Sequence, residues 1–334
     1  MFELQNSTAI GLTILCSFMW GSWFQTVKRL KGYPLSAYML WIYSFSFIVV
    51  WASIWLLSDK ALSAPIGEQI AANPNRVSIA FVCGAMAAIG MQNKMWVVRK
   101  LGMILASSIS STFSILLGTM YSILLGGIAE CTNLTLVIFA TLVLLGATLV
   151  CQCSSHMRDR DLVGGDHKKA AQMEKGETKV VILAIMNIAF LASAYPVGLS
   201  IVTRTVSNPN GVDALVGIGA MCAGAFIGTA IYSGIKLVKA HQVDLFFHPS
   251  KEILFMAFLS SIGHYGGNVI NALVSPQLSV AISWPMSNSF SMWSYSWGLV
   301  YGEYKGAYKK TYVVLFLGIV LSIVGLLLFS VATH

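Results

Sequence analysis

CSSHMRDRDLVGGDHKKAAQMEKGETK, residues 153–179, is the one long hydrophilic stretch in a chain of 334 residues, with mixed charge, a Gly pair and no apolar period. On either side the chain runs apolar in blocks of about 20 residues, the length that crosses a hydrocarbon core ~30 Å thick. Five blocks precede it, at 8–27, 35–57, 77–98, 102–126 and 132–151, and five follow, at 180–200, 212–235, 252–273, 277–300 and 310–331. The pattern predicts an all-α membrane protein of ten transmembrane helices. Residues 1–152 form one five-helix unit, 153–179 a linker and 180–334 a second five-helix unit. Composition agrees: 56% of residues are hydrophobic and 10% charged, with a mean hydropathy of +0.74, against roughly 25% charged in an ordinary soluble domain.

Basic residues orient the spans. Of 21 Lys and Arg, 17 fall in the segments after the first, third, fifth, seventh and ninth spans, and six of these are in the linker. Only Lys60, Arg76 and Arg204 fall on the opposite side, and Lys94 lies within a span. The positive-inside rule then puts the linker in the cytoplasm and both chain ends outside, in a plasma or inner membrane. Five spans per unit is an odd number, so a duplicated unit enters the bilayer upside down, as in many secondary transporters. Weak internal similarity is consistent with two inverted repeats. WGSWFQTVKR (20–29) resembles ASAYPVGLSIVTR (192–204), and SSISSTFSILLGTMYSILLGG (107–127) resembles SWPMSNSFSMWSYSWGLVYGE (283–303).

Other classes lack their signatures. The net charge of +8 is scattered in short clusters between apolar runs, with no basic stripe interleaved with aromatics, so nucleic acid is not an expected partner. The six Cys include no CxxC pair and no His at zinc spacing, and no disulfide framework, metal or other cofactor is expected. No phosphate loop, nucleophile elbow or paired carboxylates appear, so no enzyme activity is expected. The opening MFELQNSTAIGLTILCSFMW lacks a positive n-region and reads as a retained span. Asn6 and Asn133 begin Asn-x-Ser/Thr triplets on the predicted outer side.

Polar side chains in hydrocarbon are costly and normally face a bundle interior or a wet cavity. In the first span Trp20 and Trp23 read either as headgroup-level anchors or as a stacking face for a solute, and Gln25 as a ligand. Gln92, Asn93 and Lys94 are consecutive, so at least one points inward. Asn93 is the better solute ligand, while Lys94 reads either as snorkelling to the interface or as a coupling group. Ser111 and Ser114 of the serine-rich fourth span read as helix-packing residues or cavity lining. His264, Asn268 and Asn271 share one face of the eighth span. His264 reads either as a proton carrier or as a neutral imidazole bonded to a neighbouring helix. Pro285, beside Trp284, Ser287 and Asn288, and the Tyr195-Pro196 pair read either as simple helix bends or as breaks that expose backbone to a polar ligand.

TVKRLKG after the first span, AIGMQNKMWVVRKLGM at the end of the third and ISWPMSNSF through YGEYKG near the end resemble the L-rhamnose–proton symporter, glucose/ribose uptake and ureide permease branches of the drug/metabolite transporter superfamily. MWGSW is similar to a phrase of the glucose/ribose branch. The resemblance implies two inverted five-helix repeats, alternating access and cation-coupled uptake of a sugar or similar nutrient. The expected activity is proton-coupled symport of a small polar solute. An exporter, an uncoupled facilitator and a receptor that binds without moving its ligand are the alternatives.

Overall fold

The computed structural model describes residues 4–30, 32–101, 103–128, 132–162, 175–205 and 208–333, with backbone alone at 28, 96–101, 103–113, 175–185 and 188. Everything regular among them is helical, with two isolated bridges near residues 203–212 in place of any strand. Helix α1 (Asn6–Ser22) tightens into a 3-10 stretch, Trp23–Arg29. Then come α2 (Leu35–Ala61), the short α3 (Ile66–Ala72), α4 (Pro74–Leu101), α5 (Met103–Gly126) and α6 (Leu134–Leu162). The second unit holds α7 (Lys175–Val202), α8 (Ala214–Lys239), the short α9 (Val243–Phe247), α10 (Lys251–Ser261), a π turn (Ile262–Gly266) and α11 (Gly267–Leu278). It ends with α12 (Val280–Ser287), α13 (Phe290–Val300) and α14 (Lys309–Ala332).

Seven helical stretches among the described residues are long and apolar enough to cross a membrane: Asn6–Val27, Leu35–Ala61, Pro74–Met95, Leu134–Leu162, Ala214–Lys239, Lys251–Leu278 and Lys309–Ala332. Ser114–Gly126 and Ala189–Val202 are shorter apolar helices. The predicted ninth span, 277–300, is broken into two pieces. Ser279, at φ +65° and ψ 155°, ends α11 and starts α12, and the chain breaks again at 288–289. α6 continues to Leu162, into the hydrophilic stretch. There Asp161 accepts from the Tyr308 amide (2.9 Å) and Thr311 hydroxyl (2.6 Å), which ties the helix end to α14.

Large apolar side chains point outward, among them Trp55, Leu124, Val300 and Phe316, while Ser, Thr and Asn are turned in. This is the polarity of a chain dissolved in lipid. Buried hydroxyls are satisfied mostly within their own helix: Thr13, Ser46, Thr141, Thr148 and Ser322 each donate to the carbonyl four residues back, at 2.8–3.0 Å. Asn133 accepts from the Leu136 amide at 3.1 Å and so caps α6.

Helices of the two units interleave. α4 lies against α7 and α8; α1 against α11, α12 and α13; α2 against α8 and α10; α5 against α7 and α12; and α6 against α14. Gly84 and Gly224 bring α4 and α8 to backbone contact, since a Cβ on either would strike the main chain of Met221 or Phe81.

Candidate functional site

A cavity of about 90 Å³ lies where these helices meet, room for several waters or one small solute. Its walls are aromatic. Trp20 meets Tyr195 edge to face (6.0 Å) and Trp284 likewise (5.9 Å), and Tyr195 and Trp284 lie 5.6 Å apart at 30°. Trp23 stacks on His264 with centroids 4.8 Å apart, and Tyr43 and Tyr265 meet the same imidazole edge-on at 5.8 and 5.0 Å. Asn268, Asn288 and Lys94 add polar groups to the lining, and Ser114 completes the α5 wall.

The π turn positions the histidine. Widening one helical turn interrupts the regular bonding pattern, a distortion common at functional positions. The His264 carbonyl takes the Trp20 indole N–H at 3.1 Å, and the imidazole Nε2 lies 3.5 Å from the Tyr43 hydroxyl. The Tyr195 hydroxyl donates to the Asn268 carbonyl (3.3 Å), and Asn288 Nδ2 donates to the Trp284 carbonyl (2.8 Å). Pro285 lies inside α12 and Pro196 inside α7, so neither proline ends its helix, and the breaks fall at Ser279 and at 288–289.

Among the described residues, Lys94 and His264 are the ionisable side chains other than tyrosine in the lining, and no Asp or Glu belongs to it. The Lys94 ammonium lies 5.7 and 5.5 Å from the ring centroids of Phe24 and Phe290, both within cation–π range. That position, at 7% exposure, is inside the helix bundle. Trp20 and Trp23 are buried there too, at 8% and 3% exposure. Among the described residues no three His, Cys, Asp or Glu side chains are grouped to hold a metal.

Nine residues singled out from sequence line the cavity together: Trp20, Trp23, Lys94, Ser114, Tyr195, His264, Asn268, Trp284 and Asn288. Four do not. Asn93, expected on the solute, turns instead to α8, where its Oδ1 accepts from the Tyr232 hydroxyl, beside Gln92 accepting from Ser233 at 2.7 Å. Consecutive residues point about 100° apart on a helix, so once Lys94 takes the cavity its neighbours face another helix. Ser287 sits behind the wall and accepts from Asn271 Nδ2 at 2.9 Å, tying α11 to α12. Gln25 is outside the lining, and its Oε1 is buried without a hydrogen-bond partner among the described residues. The Ser111 side chain lies outside the described residues. Tyr43, Tyr265 and Phe290 were missed. The available signal was a tyrosine in the middle of an apolar run, far from the interfacial belt where tyrosine is at home.

These placements separate two kinds of amide. Asn93→Ala removes the Tyr232 contact and costs about 1–3 kcal/mol of stability with solute affinity unchanged. Asn288→Ala weakens solute binding about 10-fold or more, the worth of a polar group left unpaired. Titration calorimetry and thermal unfolding on both variants check the contrast.

No family model and no curated relative matches the chain. Five solved chains match by fold. One, a crystal structure of a protein, is 14% identical over 97% of this chain and 96% of that chain, with a TM-score of 0.62. At that identity the likeness is one of fold alone.

Proposed function

We propose that the chain is a secondary active transporter that carries a small neutral polar solute, a sugar or sugar-like nutrient, across a plasma or inner membrane by alternating access coupled to protons. The observation that carries this reading is an aromatic cavity with amide, imidazole and ammonium groups, enclosed between two halves of the chain whose most extensive helix contacts exchange in pairs. Swap the units, so that α1 stands for α7, α2 for α8, α4 for α10–α11, α5 for α12–α13 and α6 for α14. The α4–α7 contact becomes α1–α11, α4–α8 becomes α2–α10, α5–α7 becomes α1–α12 and α1–α13, and α2–α8, α5–α12 and α6–α14 map onto themselves. Such exchange is what ten spans in two inverted repeats require. The internal sequence similarity supports it too. Aligned on Arg29 and Arg204, Trp20 falls on Tyr195, and these two rings meet across the cavity.

Sugars present C–H faces that stack on indole and phenol rings, and hydroxyls that amides both donate to and accept from. Reconstitution into liposomes with an inward proton gradient tests the reading. Labelled L-rhamnose, D-glucose, D-ribose or a ureide accumulates, and a protonophore collapses the accumulation. Flux indifferent to the gradient points to a facilitator, and saturable binding without flux to a receptor.

A further inference from the structure

Two glycines far apart in sequence do the same thing to two of the cavity's walls. The Trp284 indole lies across α5 at Gly118 and donates its N–H to the Ser114 carbonyl one turn earlier, at 3.3 Å. The Trp20 indole lies across α11 at Gly267 and donates to the His264 carbonyl, again about one turn earlier. A Cβ at 118 would collide with Trp284 Nε1 and come within 2.8 Å of Pro196 Cγ. A Cβ at 267 would lie 2.7 Å from both Cδ1 and Nε1 of Trp20. Glycines in membrane helices ordinarily let two backbones touch, and Gly84 and Gly224 do that, their Cβ positions meeting main chain. At 118 and 267 the obstacle is the edge of an indole that forms the cavity.

We propose that Gly118 and Gly267 are positioning residues that set the size of ring the cavity admits, holding Trp284 and Trp20 back against the helices to leave room for a monosaccharide. The indoles have little freedom to yield another way, because each is pinned by its N–H bond and they meet each other edge to face at 5.9 Å. A methyl group at either glycine breaks the bond and drives the ring into the space a solute occupies. One methylene in an apolar pocket discriminates solutes by about 10- to 200-fold, so the loss falls hardest on the largest sugar.

The inference rests on the cavity being the solute site, and the test separates the two claims. Dissociation constants of the full chain in nanodiscs are measured for D-erythrose, D-ribose, L-rhamnose and D-glucose. Gly118→Ala and Gly267→Ala weaken the six-carbon sugars about 10-fold or more relative to D-erythrose. Adding Trp284→Phe to Gly118→Ala, or Trp20→Phe to Gly267→Ala, restores them. Gly234→Ala, where a Cβ meets nothing within 4 Å, leaves every constant unchanged. Equal weakening at all four sizes, or failure of both rescues, overturns the proposal and leaves the transport reading standing. A structure of Gly118→Ala with Trp284 unmoved also overturns it, whether or not a sugar binds. If none of the four binds the parent protein, sugar as the solute and this proposal fall together.

Discussion

Replacing His264 with alanine abolishes accumulation of solute against its gradient while exchange of labelled for unlabelled solute continues. A coupling group has to gain and lose a proton in the cavity that holds the solute, so that its charge and the solute's presence depend on each other. Imidazole titrates near pH 6.5 in ordinary surroundings, within reach of a physiological proton gradient. His264 lines the cavity, stacked on Trp23 and facing the Tyr43 hydroxyl. An imidazolium there has an indole face to rest on, a contact of about 0.5–2 kcal/mol. The effect is large because each unit of pH difference is worth about 1.4 kcal/mol per proton. Coupled one to one, a unit gradient sustains roughly tenfold accumulation, and an uncoupled variant only equalises the two sides. Exchange needs no net proton movement and survives. The measurement is initial uptake and counterflow in the same liposomes, with thermal unfolding as the folding control. Accumulation that persists in His264→Ala but disappears in Lys94→Met moves the coupling role to the ammonium beside Phe24 and Phe290.

The contrast between Asn93 and Lys94 shows how far local sequence reading reaches. Hydrophobic run length placed helix over the apolar segments, because spanning length is a property each segment carries by itself. That at least one polar residue of the third span had to turn inward was legible for the same reason. Which of them meets solute and which meets Tyr232 depends on the rotation of α4 against α8, and that is decided by Gly84 and Gly224 more than a hundred residues apart. The break at Ser279 was blurred because Pro276 and Pro285 lie inside helices, where proline usually signals an end. An aromatic wall such as Phe290 carries no polar mark in an apolar run, so only packing reveals it. Arg204 entered the sequence reading as one charge in a topology tally, whereas in the fold it belongs to a cluster whose members come from both units.

That cluster gives the second large effect, in which Asp213→Ala destabilises the protein by about 3 kcal/mol, the low end for removing one partner of a buried ion pair. Asp213 is 9% exposed. Its carboxylate accepts from the Ser63 amide at 2.5 Å, the Ser63 hydroxyl at 2.8 Å and Gln69 Nε2 at 2.7 Å, and pairs with Arg204 at 3.3 Å. Gln69 answers by accepting from the Asp213 amide at 2.8 Å. Ser63 and Gln69 follow α2, while Arg204 and Asp213 join α7 to α8, so the cluster ties one unit to the other. Removing the carboxylate leaves several donors without their acceptor at once. Arg204 softens the loss because its side chain keeps 30% exposure and a bond to the Gly211 carbonyl at 3.1 Å. The energies are not additive, since the groups share one partner. Arg204→Ala on its own is costly, but adding it to Asp213→Ala costs little more, and a double-mutant cycle by chemical unfolding measures the difference. The cluster sits where α2 and α7 end and α4 and α8 begin, whereas the α4 cavity residues lie 13 or more positions along that helix, at Ala87 through Lys94. If the cluster is a tie at one end of the transporter and not part of the site, Asp213→Ala leaves solute affinity unchanged at saturating stability and changes the rate of exchange. Loss of affinity in parallel with stability places Asp213 within the binding machinery and removes its role as an end closure.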